Sequence, residues 1–294
     1  MNCDPDLRRR LERRVDALPV LPKVARKLMV LNPNQDDHFD QIRALIEADA
    51  SFSARILSAA NSAAFVNRSR ITSVRRALSC MGSREAANVI MAVALAKLFS
   101  PKSIAQKSLW RHSLQVATGV RTLIQASPRA DLRADEAYTA GLLHDMGQFV
   151  LMAESPSAWA RVNAQCTEFS DEHAELEREI CGLTHAEVGA MACESWRLPE
   201  PLVSAVSRHH DQDVDPRKGP VDLLLTAVRF ADFVFSAPTE PGCSTGYEDA
   251  DLETIESELL PKMPSFFDFD AAALQVLLRN SARDCDVMCR AVGI

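Results

Sequence analysis

Apolar residues in this chain recur three and four positions apart through most of its length, and no run alternates for long enough to make a strand. A chain patterned in this way must bury helix faces against other helices, so the fold class read from it is all-α. Val24, Leu28 and Leu31 follow the Pro19–Pro22 step at helical spacing. Phe39, Ile42, Leu45 and Ile46 share a face after Asp37. Phe52, Ile56, Leu57 and Ala60 form the next stripe, with Ser51 as its expected N-cap. Gly82 is suited to end the helix through Cys80 in a left-handed cap, leaving Ser83 to open another. Short connections make this an N-terminal helical subdomain over residues 15–102, with Pro101 at the junction.

Beyond the junction a long helix carries Leu109, Trp110, Leu114 and Val116 and stops before Pro128. A further helix from about Asp135 holds Gly141-Leu-Leu-His-Asp-Met-Gly147. Thr184 and Glu187 make a capping box that sets His185 in the first turn of its helix. The Leu198-Pro-Glu-Pro201 step opens a helix ending at His209 and His210, and the apolar segment Val221 to Phe235 follows a polar loop. Two prolines and two glycines between Ser236 and Tyr247 read as a linker. The expected partition is therefore a helical bundle over 103–240 and a C-terminal helical extension over 241–294. The extension is expected to pack on its own chain; a homodimer is left open.

A net charge of -7 argues against a general nucleic-acid binder, which needs a basic face. The basic cluster Arg8, Arg9, Arg10, Arg13 and Arg14 reads as a solvated helix face, with docking of an acidic partner as the lesser alternative. The eight cysteines include no CxxC pair, and Cys285 and Cys289, one turn apart, have the flanks of an ordinary helix. Neither a disulfide framework nor a zinc ribbon is expected, and a reducing cytoplasm fits. No secretory signal is expected, because the arginines are not followed by an apolar core. The longest apolar stretch, Ala86 to Phe99, contains Asn88 and Lys97 and is too short to span a bilayer, so no membrane role is read.

Five of the seven histidines, His112, His144, His185, His209 and His210, fall on or at the end of separate predicted helices, together with Asp145 and Asp232. Helices in a bundle can aim such side chains at one interior point. Imidazole nitrogen with carboxylate oxygen suits iron, manganese or zinc better than calcium or magnesium, so one or two divalent ions are expected. Asp145, beside His144, is the candidate bridge between two of them. The pair interrupts an apolar run, as Asp232 does further on, and a charge there is costly unless paired or ligated. The plainer alternatives are a metal-free, hydrogen-bonded polar core and an ion pair between Asp232 and Arg229. His38 and His173, set among acidic residues, read as solvated surface, and Trp110 and Trp196 as core.

Taken together these stretches resemble the HDOD family, regulatory relatives of the HD and HD-GYP metal-dependent phosphohydrolases. The resemblance runs from about residue 15 to 235. It rests on Leu18-Pro-Val-Leu-Pro22, Asp49–Leu57, Asn61–Phe65, Ala77–Gly82, Trp110-Arg-His-Ser113, Gly141–Gly147, His185-Ala-Glu-Val-Gly189, Trp196–Pro199, His209-His210 and Ala231-Asp232. It implies an N-terminal helical subdomain packed on an HD-like bundle. It also implies a signalling role through protein contacts, with response regulators or diguanylate cyclases as partners in two-component or cyclic di-GMP networks. By analogy with two-metal HD enzymes, His112, His144, Asp145 and Asp232 would hold one ion, and Asp145, His185, His209 and His210 the other. Two departures bear on catalysis. Gln148 stands where HD-GYP phosphodiesterases carry a lysine, and the loop Asp211–Pro220 lacks their glycine-tyrosine-proline segment. Arg208 and Lys218 are the candidate replacements for the lost charge.

Overall fold

The computed structural model describes residues 5–32, 34–62, 70–127, 132–165, 171–236, 247 and 250–294. These are helical throughout, with no strand among them. In chain order the helices are α1 (Pro5–Asp16), α2 (Lys23–Val30), α3 (His38–Glu47), α4 (Ala50–Ala60), α5 (Val74–Met81), α6 (Ser83–Leu98), α7 (Ile104–Ala126) and α8 (Ala134–Leu143). Then come α9 (Met146–Glu154), α10 (Pro156–Gln165), α11 (Asp171–Cys181), α12 (His185–Ser195), α13 (Glu200–Arg208) and α14 (Pro220–Phe235). A short α15 (Leu252–Thr254) runs on into a π turn and a 3-10 turn before α16 (Ala271–Val292). The Ser236–Tyr247 linker lies mostly outside the described residues, as does the end of the Asn61–Phe65 stretch. No described helix is long and apolar enough to cross a membrane.

Two compact units divide the chain. One comprises Met1–Pro19 with Gln115–Ser281, the other Val20–Leu114 with Ala282–Ile294. This differs from a partition at 102 and 240. The division falls inside α7 and inside α16, because each half of these long helices buries its apolar face in a different core. Leu274, Leu277 and Leu278 of α16 line an apolar groove with Gly119, Phe230 and Phe235. Further along α16, the Cys285 thiol meets the Arg111 carbonyl, and Asp286 pairs with the Arg111 guanidinium at 3.0 Å.

In the second unit α6 is buried from Ala86 to Ala96 apart from Ala87, and its residues there are apolar on nearly every side, as those of a central helix must be. Around it, α4 is capped by Asp49, whose Oδ1 accepts from the Ser51 N–H at 2.8 Å. Ser51, the expected cap, is thus inside the helix; the carboxylate two residues earlier is the cap and accepts from the Ser51 amide. Gly82, at φ +86°, joins α5 to α6 as its left-handed freedom requires. His38 corrects a sequence expectation. It is only 8 % exposed, because at the start of α3 it continues the buried stripe of Ile42 and Ile46. Cys285 and Cys289 are buried on one helix face with their sulfurs 3.8 Å apart. Trp110 is core, its indole N–H donating to the Phe99 carbonyl.

In the first unit the tightest crossing is that of α9 and α12, and two glycines permit it. A Cβ on Gly147 would stand 1.8 Å from the His185 carbonyl oxygen, and one on Gly189 3.2 Å from the Gly147 nitrogen. Gly141 likewise lets α8 lie on the α7 backbone at Ala117. Trp196 is buried and donates to the Pro19 carbonyl.

Candidate metal centre

Apart from His112, each donor is presented by a helix end or a helix interior of the first unit. His144 and Asp145 occupy the break between α8 and α9, and His209 follows the last residue of α13. Both histidines use the same device. Nδ1 of His144 lies 2.7 Å from the Gly141 carbonyl, and Nδ1 of His209 lies 2.7 Å from that of Val206. A carbonyl only accepts, so Nδ1 carries the proton in each ring and Nε2 is left bare. The carbonyls are those a helix end leaves unsatisfied. His185 opens α12, where Thr184 and Glu187 form the expected capping box.

The six predicted donors that lie in the first unit converge. Asp145 Oδ1 lies 3.3 Å from His185 Nε2 and 3.7 Å from His209 Nε2, while its Oδ2 lies 3.7 Å from His144 Nε2. Nε2 of His185 stands 3.1 Å from that of His209 and 2.9 Å from that of His210. Asp232 Oδ1 faces His144 Nε2 at 3.7 Å and accepts from the Ser236 hydroxyl. It does not pair with Arg229, which donates to the Gln212 carbonyl. His112 is half-buried on α7, in the stretch that belongs to the second unit.

Bare imidazole nitrogens about 3 Å apart repel unless a cation lies among them, so the donor set fits a metal ion, with a shared proton as its alternative. His185 Nδ1 faces the Glu177 carboxylate, which can only accept, so the His185 Nε2 is also bare in the neutral ring. Separations of 2.9 and 3.1 Å are short enough for the nitrogens to share one ion through bonds of about 2.1 Å. Without a metal, a proton does the same work. Burial opposes charge on His185, but Glu177 and then Asp145 outweigh it and carry its pKa up to about 9. Burial with His209 and His185 pushes His210 down to about 2, and burial also leads in lowering His209. At His144 burial is outweighed by Asp145 and Asp232, and the pKa rises.

The sequence profile of the HDOD domain matches residues 18–212, two thirds of the chain. The chain belongs to the HDOD family. An uncharacterized protein of Treponema pallidum is 26% identical over 219 residues, covering 74% of this HDOD chain. That alignment takes in 42% of the Treponema protein, so the chain spans less than half of this relative's length. Among solved structures, an HDOD domain protein of unknown function from Geobacter sulfurreducens superposes with a TM-score of 0.70 at 23% identity, covering 98% of each chain. A Shewanella amazonensis protein provisionally named a phosphohydrolase gives 0.71 at 22% identity, covering 96% of this chain and 98% of its own. These likenesses establish the shared helical fold.

Two neighbours of the HDOD centre escaped the sequence reading. His173 is 3% exposed, not solvated, and Glu177 is 1% exposed. They share a buried stripe of α11 with Ile180 and Cys181, a periodicity present in the sequence but masked by the acidic residues between. Arg208 is engaged by Asp211 at 2.8 Å and by Asp222, so it is not an idle charge.

The two extreme histidines predict the pH response of chelator-treated protein. The His185 pKa is raised, so its contribution to stability is full below an unfolded value of about 6.5 and is lost as pH rises through about 9. The His210 pKa is depressed, so its contribution is present above about 6.5 and is lost as pH falls. Urea midpoints of the chelator-treated protein are therefore expected to peak near neutrality and fall toward pH 9. Bound zinc should remove the alkaline decline; an identical decline with zinc would exclude a cation exchanging with that proton.

Proposed function

We propose that this HDOD chain is a regulatory module of bacterial signalling in the cytoplasm, acting through protein contacts, with a metal centre in its first unit. The reading as a metal centre rests on the split engagement of Asp145, one carboxylate oxygen toward His185 and His209 and the other toward His144. His144, Asp145 and Asp232, with His112 added by family analogy, would hold one ion; Asp145, His185, His209 and His210 would hold the other. Iron, manganese or zinc suits this donor set.

A regulatory rather than catalytic role is favoured by Gln148. It brings no positive charge to a phosphate oxygen, and its amide oxygen already accepts from the Trp159 indole N–H at 2.8 Å. Response regulators or diguanylate cyclases are the proposed partners, in two-component or cyclic di-GMP signalling. The second reading, a metal-dependent phosphohydrolase or phosphodiesterase, is favoured by the intact donor set. Bound metals would then supply an activated water and a hold on phosphoryl oxygens.

Protein purified without chelator separates these readings. The expected result is bound iron, manganese or zinc, no turnover of an activated phosphodiester or cyclic dinucleotide, and retention of a purified response regulator or diguanylate cyclase. Turnover abolished by Asp145→Ala would replace the regulatory reading with the catalytic one. Absence of both metal and partner would defeat the two together.

A further inference from the structure

Glu177 stands behind the histidines, almost wholly buried on α11. Its Oε2 accepts twice from one residue, from the His185 ring Nδ1 at 2.7 Å and from the His185 backbone N–H at 2.7 Å. Its other oxygen faces His173 Nδ1 at 3.8 Å, and the His173 ring meets that of His185 edge-on with centroids 5.9 Å apart. Arg178, the next residue of α11, pairs with Glu187 in the first turn of α12 at 3.0 Å, so the two helices are tied beside this contact. A buried carboxylate is costly and is retained where its neighbours use its charge. Two protons already converge on Oε2 at hydrogen-bond distance, which leaves no room for an ion between Glu177 and His185. His173, Glu177 and His185 are therefore a support and not another metal site.

We propose that Glu177 is a positioning residue for the candidate metal centre. It keeps the proton of His185 on Nδ1 and pins the ring to its own backbone, so that Nε2 is the bare donor turned to Asp145, His209 and His210. This inference rests on the reading of the cluster as a metal centre. Carboxylates that accept the outer N–H of a metal-bound histidine orient the ring and raise its basicity, and their loss costs about 10–100-fold in metal affinity.

The test uses the full chain with 15N-labelled histidine, comparing wild type with Glu177→Gln, Glu177→Asp and Glu177→Ala. NMR is recorded with and without zinc, and zinc affinity is measured against a competing chelator. Wild type is expected to show a slowly exchanging, downfield Nδ1–H resonance for His185 in both states. Glu177→Gln should keep it, because an amide oxygen can accept the same two protons, and should bind zinc more weakly than wild type but more tightly than Glu177→Asp, since it loses the charge and keeps the reach. Glu177→Asp keeps the charge but draws the oxygen back by one methylene. It should lose the resonance and bind zinc about 10–100-fold more weakly, as should Glu177→Ala. If the alanine protein does not fold, the aspartate protein carries the same comparison. Survival of the resonance without the glutamate reach, unchanged affinity in the aspartate protein, or a glutamine protein as weak as the aspartate one would each overturn the proposal. A wild type that binds no zinc would instead defeat the metal reading, while the resonance would still decide whether Glu177 orients His185.

Discussion

An Asp145→Ala protein is expected to fold and to retain no metal through purification, with zinc affinity lowered by at least about 100-fold. Loss of a mere outer support already costs about 10–100-fold, and Asp145 is the group that both histidine sets share. Its Oδ1 serves His185 and His209 and its Oδ2 serves His144, so one truncation removes a donor from each side. It also removes a negative charge that faces His144, His185 and His209, which leaves cations less favoured among them. Asp145→Asn refines the test. The amide keeps the shape but offers one oxygen, and its NH2 cannot ligate, so at best one side survives. The expected order of metal content, read by mass spectrometry of the metals, is wild type, then asparagine, then alanine. Full retention by the alanine protein would show that the histidines bind ions without a shared carboxylate.

Much of this was legible before any coordinates, and the legible parts have a common cause. Periodicity and capping are local, so the all-α class, the Thr184–Glu187 box and the Gly82 junction could be read from neighbouring residues. His144, Asp145 and Asp232 could be singled out because polar groups inside apolar runs are conspicuous. Glu177 and His173 could not, because charged neighbours conceal their burial: Glu175, Arg178 and Glu179 face water while His173 and Glu177 face inward on the same helix. His38 misled for the same reason, with Asp36 and Asp37 ahead of it and Asp40 behind. The division inside α7 is not written in the sequence, because a 23-residue helix carries no break where its buried face changes cores. What a residue does within its own turn is written in its neighbours; which core receives it depends on helices far away in the chain.

Gly147 of α9 shows how distant packing sets the site, and Gly147→Ala is expected to be the most damaging single-methyl change in the first unit. The added Cβ would meet the His185 carbonyl oxygen at 1.8 Å, its carbonyl carbon at 2.7 Å and the Gly189 nitrogen at 2.8 Å. All three are backbone atoms, so no side chain can rotate away, and α9 must separate from α12. Overpacking of this kind costs about 1–3 kcal/mol and occasionally more; backbone collision places this case near the upper figure. At about 2–4 °C per kcal/mol for a domain of this size, a melting temperature lower by roughly 6–12 °C is expected. Separation would also carry His185 away from Asp145, so zinc affinity should fall with stability even though no donor has changed. Two controls bracket the effect. Gly189→Ala meets a Val206 methyl at 2.7 Å, a side chain that can yield, and should cost less. Gly219→Ala meets nothing within 4 Å and, as a change at the N-cap of α14, should cost no more than about 1 kcal/mol. Equal melting temperatures for the Gly147 and Gly219 variants would mean that the α9–α12 crossing is looser than these contacts require. The placement of His185 against Asp145 would then need another cause.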